Sequence, residues 1–561
     1  MKGGADGRHE AAGAALFPRL AALGIEHVFV NSGTDFPPII EGLARAAVEG
    51  RALPRAIVIP HEHAAMGMAH GHWLMTGRPQ AVMLHTNVGL ANGVIGAINA
   101  ACDGVPILLM SGRTPVTEAG RFGSRTVPIG WGQEMRDQAA LVRECCKWDY
   151  ELRFPEQLVP ALDRACAIAT STPAGPVYLA LPREVLCEAA AVSTAPPSLA
   201  PSRAGPDPEA VAQAARWLAA AERPLIVAQR GVGAEPTFRA FGAWVEALGL
   251  PVSSYWQQRL AVATDHPCHV GADPGAWLAE ADLVVVIDSL APWSPDRHRL
   301  AEGARVVQIG PDPLFARVPV RGFRADVTIA ADPDLALPAL IAAVDVLPGD
   351  PGLPARRRRR LARRPVEECE GENGPGITRA AASRALSEAL EGRASSVFNE
   401  LGTLLGPLAR RDRLSWFDGP HSGGLGWGVP AALGARLADT GRTIVATVGD
   451  GSYIFANPVA CHQIAEALDL PMLVVVLNNG EWSAVRQSVA GLYPDGHAVR
   501  VNVMPLTSLA PSPDFAQVAA ASRAWSRRVE TLDALRDGLR EALDAVDGGR
   551  AALLDVATRP D

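Results

Sequence analysis

The sequence has no stretch of eighteen uninterrupted apolar residues, the length a helix needs to cross a bilayer. Its opening, MKGGADGRHEAAGAALFPRL, carries charges and a proline where a secretory leader needs an apolar centre, so a cytoplasmic location is expected. Cysteine is sparse: eight occur in 561 residues, none in a CxxC pair, and only Cys145 and Cys146 are adjacent. That spacing fits neither a zinc site nor a disulfide framework, and buried thiols are expected instead. Basic residues are scattered apart from the run Arg356 to Arg360, and the formal net charge is −8. Nothing in the charge pattern calls for nucleic acid, while small anionic substrates stay compatible through local sites.

What is present is the alternation of an α/β protein. Apolar runs (HVFV, RAIVIP, AVMLH, VPILLM, then PLIVA, DLVVVID, RVVQIG, then TIVATVGD, MLVVVLNN) are separated by alanine- and leucine-rich stretches of helical period. Such alternation predicts doubly wound parallel sheets with helices on both faces. The chain is too long for one hydrophobic core. Two stretches break the pattern and read as linkers: 186–207, rich in proline, alanine and serine, and 347–376, which holds the arginine run as a solvated segment or helix face. Three α/β domains are therefore expected, at 8–188, 206–345 and 377–561.

The third of these carries the strongest motif. The strand TIVATV runs into Gly449-Asp450-Gly451-Ser452, and after a helix-length segment the strand MLVVVL ends in Asn478-Asn479-Gly480-Glu481-Trp482. Ligands bind beyond the carboxyl ends of parallel strands, so an Asp, an Asn and tight glycine turns there can hold a hard cation against a diphosphate. Asp450, the side-chain oxygen of Asn479 and the backbone carbonyl of Glu481 are the expected magnesium ligands, and the glycines allow close approach to phosphates.

Here the chain resembles the thiamine diphosphate-dependent superfamily of acetolactate synthase, benzoylformate decarboxylase and pyruvate decarboxylase, whose hallmark is this GDG to NN spacing. The resemblance covers nearly the whole chain. It implies that in HSGGLGWGVPAALGARLA the carbonyl of Gly423 and the amide of Leu425 hold the aminopyrimidine, with the Leu425 side chain propping the cofactor in a bent form. It also implies that Gly402 and Thr403 of VFNELGT, with Gly449, Gly451 and Ser452, bind the diphosphate. In the first domain, Glu62 of HEHAAMGMAHG matches the family's strand-end glutamate, whose carboxyl group favours the imino tautomer that activates the cofactor. His85 of LHTNVGLAN stands where benzoylformate decarboxylase has an active-site histidine, and Thr34 of NSGT stands where that family has a substrate-binding serine. His61 and His63 are weaker candidates, and the role of His421 is open. The resemblance further implies a homodimer or homotetramer, with Glu62 of one subunit over the cofactor of another.

Departures narrow the reading. The middle segment SSYWQQRLAVATDHPCHVGADP matches no flavin-binding loop of acetolactate synthases, so FAD is not expected; GVGAEP at Gly231 reads as a simple turn. Ser488 stands where acetolactate synthases carry a tryptophan, and Pro292 or Trp293 where benzoylformate decarboxylase has its second histidine. The expected activity is decarboxylation of a 2-oxo acid, or carboligation with a carbonyl acceptor. Acetolactate synthase proper, a lyase of 2-hydroxyacyl or oxalyl thioesters and a non-catalytic relative are the alternatives.

Overall fold

The computed structural model describes residues 9–362 and 376–559, so both outer ends of the expected domains and part of the second linker lie outside the described residues. The alternation is realised as three wholly parallel sheets. The first holds His27–Val30, Arg55–Val58, Gln80–Leu84, Ile107–Arg113, Asp149–Glu151 and Val177–Pro182. The middle one holds Pro224–Ala228, Val252–Ser253, Leu283–Ile287, Arg305–Gly310 and Val327–Ala330. The last holds Ser395–Glu400, Trp416–Asp418, Thr443–Gly449, Leu473–Asn478, Trp525–Val529 and Ala552–Ala557. Inner strands such as Leu283–Ile287 and Leu473–Asn478 are buried at every residue, which is why they read as unbroken aliphatic runs.

Counting strands along the chain, the outer two sheets share one order, 2-1-3-4-6-5, and the middle sheet runs 2-1-3-4-5. In each, strand direction of travel reverses between the first and third strands. The ends of those two strands splay a crevice, the place where doubly wound folds hold ligands.

The linkers are more structured than their composition suggested. Ala189–Ala191 forms a short antiparallel ladder with His9–Ala11, a two-stranded sheet separate from the three parallel ones. Leu353–Leu361 is a helix, and its arginines are not uniformly solvated. Arg357 is buried: its guanidinium donates to the carbonyls of Ala221, at 2.5 and 3.0 Å, and Leu218, at 2.7 Å. These are open acceptors at the end of the helix Pro208–Ala220, so one side chain satisfies what the helix leaves unpaired. Among the described cysteines Cys146, Cys268 and Cys461 are buried, and Cys102, Cys145, Cys166 and Cys187 are half-buried; Cys369 lies outside the described residues.

The first and last sheets meet through two helices, Glu62–Thr76 and Gly428–Ala438. Their backbones approach so closely that a Cβ at Gly71 would land on the Ala431 carbonyl, and one at Gly434 on the Met68 carbonyl. The middle unit joins both: Arg230 donates to the Cys102 carbonyl at 2.7 Å, and the Gln258 amide reaches Asp103 at 2.8 Å and the Gly419 carbonyl at 3.3 Å.

Candidate active site

The crevice of the first sheet brings together the loop after His27–Val30 and the residue after Gln80–Leu84. Asp35 Oδ1 accepts from His85 Nδ1 at 2.5 Å, and His85 Nε2 faces Gln133 Nε2 at 3.1 Å. Asp35 is buried, and its second oxygen receives the Thr86 amide at 3.4 Å. Glycines make room for the pair: a Cβ at Gly33 would strike the His85 ring, and one at Gly112 would strike the Asp35 carboxylate. The hydrogen bond to Asp35 raises the His85 pKa against the lowering effect of burial, and the Asp35 and Glu62 charges add to the rise. Thr34 is exposed beside this pair, its carbonyl accepting from Arg183 at 3.3 Å.

Glu62 begins the helix Glu62–Thr76, where a carboxylate suits the helix dipole. Its Oε2 accepts from the Asn92 amide at 3.1 Å, and Oε1 would lie 3.1 Å from a Cβ at Gly89. Asn92 and Gly89 belong to the helix Thr86–Asp103 that His85 precedes, so one helix sets both candidate acid–base groups. His61 is half-buried at the helix start, and His63 is buried against the main chain of Leu425 and Gly426, with burial holding its pKa down to about 4. His421 contacts the Trp256 carbonyl at 3.0 Å.

In the last sheet, Asp450 follows Thr443–Gly449 and Asn479 follows Leu473–Asn478, two neighbouring strands. Asp450 is buried; its oxygens accept from the amides of Gly451 at 2.8 Å and Gly480 at 2.7 Å. Burial nevertheless raises its pKa. Asn479 Oδ1 accepts from the Glu481 amide at 3.1 Å, which leaves one lone pair open. The Glu481 carboxylate is engaged with Arg486 at 2.7 and 2.8 Å, and its carbonyl accepts from the Ser483 amide at 3.0 Å. The helix expected after Ser452 is broken into Asp450–Phe455 and Pro458–Ala467.

Across the crevice, Gly402 is pressed onto the backbone of Thr447 and Val448. The Thr403 hydroxyl turns into the sheet, bonded to Asn399 at 3.3 Å and Thr447 at 3.0 Å. Glu400, which the sequence reading passed over, clamps the loop that carries Leu425: its two oxygens accept from the amides of Gly426 and Gly428, both at 2.6 Å. Burial pushes its pKa up to about 7 against those two hydrogen bonds. Leu425 is half-buried, and Gly423 has a φ of +70° with open space where a Cβ would point.

These residues fit a diphosphate and a hard cation. The buried Ser452 hydroxyl has no partner at full hydrogen-bond geometry, only the Glu400 carboxyl nearby, and burial destabilises the Asp450 carboxylate in a way that a neighbouring cation would offset. The middle sheet differs. Its strand ends are bridged by the chain's own side chains: Arg230 pairs with Asp288, while Arg321 donates to the Leu290 and Ser289 carbonyls at 2.8 and 3.0 Å and to Gln308 at 2.8 Å. The Phe315 ring lies between those guanidiniums, 5.1 Å from Arg230 and 4.7 Å from Arg321.

Comparison with known proteins gives matches along the chain. Thiamine pyrophosphate enzyme family models match in three parts: the N-terminal TPP binding domain over residues 11–141, the central domain over 211–340 and the C-terminal TPP binding domain over 405–556. Among curated proteins, a probable 2-ketoarginine decarboxylase of Pseudomonas aeruginosa is 29% identical, covering 94% of this chain and 91% of that one. Benzoylformate decarboxylase of the same organism is 26% identical, covering 96% of each. Among solved structures, a thiamine diphosphate-dependent 4-hydroxybenzoylformate decarboxylase of Rhodococcus jostii RHA1 superposes with a TM-score of 0.80 at 22% identity, over 98% of this chain and 99% of that one. With all three domain models matched in order, and with a glutamate, an aspartate and an asparagine at the strand ends, this chain belongs to the thiamine pyrophosphate enzyme family.

Proposed function

We propose that the protein is a thiamine diphosphate- and magnesium-dependent enzyme that decarboxylates a 2-oxo acid, with or without transfer to a carbonyl acceptor. The observation that carries this reading is the separation of two acid–base groups at one sheet edge. Glu62 and His85 both border the first turns of one helix, yet only His85 is backed by a buried carboxylate. Glu62 holds a proton against the pyrimidine of the cofactor. His85, with Asp35 behind it and Gln133 in front, moves a proton to or from the substrate, and Thr34 lies at the same mouth.

On the opposite side Asp450, Asn479 and the main chain of Glu481 hold the magnesium. The main chain of Gly402 and Thr403, with Gly449, Gly451 and Ser452, cradles the diphosphate, since the Thr403 hydroxyl is spent on Asn399 and Thr447, while Gly423 and Leu425 orient the ring end. When bound, the cofactor supplies the electron sink for cleavage beside a carbonyl. The three units 8–188, 206–345 and 377–561 then serve as pyrimidine, central and diphosphate domains.

Self-association into a dimer or tetramer is part of this reading. Val88, Ile95 and Ile98 stay 49%, 40% and 42% exposed along Thr86–Asp103, the helix that steadies Glu62. No described helix is long and apolar enough to cross a membrane, and the reading keeps a cytoplasmic location. The ion pair and ring contacts across the middle strand ends favour it over a thioester lyase, which needs room for an adenine nucleotide, and over a flavin-bearing acetolactate synthase.

The test is carbon dioxide release from a panel of 2-oxo acids including 2-ketoarginine and benzoylformate, with and without added thiamine diphosphate, magnesium and an aldehyde acceptor. Release that needs both additions supports the reading. No turnover of any member, with or without acceptor, overturns it.

A further inference from the structure

At the amino-terminal edge of the first sheet, opposite the crevice, Glu26, His27 and His72 bring a carboxylate oxygen and two ring nitrogens within 4.8 Å of one another. No other grouping of this kind occurs among the described residues. Glu26 immediately precedes the strand His27–Val30, and His72 lies near the end of the helix Glu62–Thr76. The His72 ring is 1% exposed and meets His27 edge-on, with centroids 5.3 Å apart.

Two features of the cluster are unusual for groups that merely pack together. His27 Nδ1 is buried without a hydrogen-bond partner, a costly state for a ring nitrogen. His72 Nε2 and Glu26 Oε2 stand 3.9 Å apart, too far for a hydrogen bond. A tetrahedral ion with bonds of about 2.0–2.1 Å holds its ligand atoms roughly 3.4 Å apart, so a small side-chain movement would let one ion bridge them. Arg78 occupies the other Glu26 oxygen, Oε1, and so leaves Oε2 facing the imidazoles.

We infer that Glu26, His27 and His72 form a binding site for a borderline transition cation of the zinc class. Two imidazoles and one carboxylate suit zinc, nickel or cobalt, whereas magnesium takes oxygen ligands; the site is therefore chemically distinct from the Asp450 end. A water molecule completes the fourth position. The ion pins the start of a central strand to the end of the helix whose first residue is Glu62.

The experiment uses the full chain, stripped with a chelator and then saturated with thiamine diphosphate and magnesium, and titrated with Zn2+ by calorimetry. One equivalent is expected to bind per chain and to raise the melting temperature, and Co2+ in its place should give the strong visible bands of four-coordinate cobalt. Glu26→Gln and His27→Gln, both in partly exposed positions where the fold tolerates change, should each weaken binding by at least about tenfold. His72→Ala should abolish it. Arg78→Ala should bind at least as tightly, because a neighbouring cation is removed. Absence of saturable zinc binding overturns the site, and so does binding unchanged in both Glu26→Gln and His27→Gln, which would mark adventitious ligation elsewhere.

Discussion

Asp35 and His85, fifty residues apart, are joined by a 2.5 Å hydrogen bond from the imidazole Nδ1 to a buried carboxylate, which fixes the ring's tautomer and turns Nε2 toward Gln133. The bond raises the His85 pKa. A histidine whose folded pKa is raised contributes stability below its unfolded value near 6.5, and that contribution is lost as pH rises through the folded pKa. In Asp35→Asn the His85 titration followed by NMR should shift to lower pH, and the basic limb of the pH–rate profile should move with it. An unchanged His85 titration would show that the pair does not set its charge.

Glu62 and His85 should separate in kinetics. Glu62→Gln is expected to slow both proton exchange at the thiazolium carbon and turnover, by roughly a hundred- to ten-thousand-fold. His85→Ala should keep normal exchange and lose turnover. Exchange in deuterated water, read by NMR beside carbon dioxide release, distinguishes them; normal turnover in His85→Ala would remove the histidine from the chemistry.

Asp450→Ala should abolish magnesium-dependent cofactor binding while circular dichroism stays that of the folded protein. The carboxylate is buried, and its only described protein partners are two backbone amides, which other acceptors such as water can serve. Calorimetry that finds unchanged thiamine diphosphate affinity would sink the metal assignment.

Glu400 should leave a signature in stability against pH. Its carboxyl is pushed from an ordinary value of 4.5 up to about 7 by burial. The folded state then holds the proton more tightly than the unfolded state, so stability falls as pH rises between those two values. At 1.36 kcal/mol for each pH unit of difference, cofactor-free wild type should lose about 3 kcal/mol relative to Glu400→Gln between pH 4.5 and 7. Urea unfolding at intervals across that range measures it; parallel curves for the two proteins would contradict the buried-carboxyl account. The Gln variant should also bind thiamine diphosphate more weakly, because one of the Gly426 and Gly428 amides loses its acceptor.

Arg357→Met should destabilise the fold by about 1–3 kcal/mol, since it strands the carbonyls of Leu218 and Ala221. Arg359→Ala, exposed on the same helix, should fall within roughly 0.5 kcal/mol of wild type. Thermal denaturation compares the two. Equal effects would mean that the arginine run acts only through its charge.

The central strands were legible because burial on both faces writes them as aliphatic runs, and the strand-end positions of Glu62, Asp450 and Asn479 were legible because each follows such a run. Trp525–Val529, sequence WSRRV, is a half-exposed edge strand and carries no such signal. Asp35 and Gln133 were missed for another reason: their partner is His85, and only the folded arrangement brings the loop after His27–Val30 and the turn after Ile129–Gly132 beside it. The clue available was Asp35 itself, one residue beyond Thr34 at a strand end. Glu400 likewise sits in a quoted motif, FNELGT, but its partners lie in a glycine loop that gives no sign of needing an acceptor. Arg357 was hidden by its neighbours, because a run of identical residues has no periodicity from which to read an inward face.

The crevice of the middle sheet has a thermodynamic consequence. Arg230, Phe315 and Arg321 place a ring between two cations at the strand ends, all drawn from the chain itself. A fold with a vacant crevice has a stability that rises and falls with the concentration of whatever fills it. Here side chains of the unit itself bridge the strand ends, at the fixed local concentration of one chain, so those contacts hold the strand ends together whatever the supply of a small molecule.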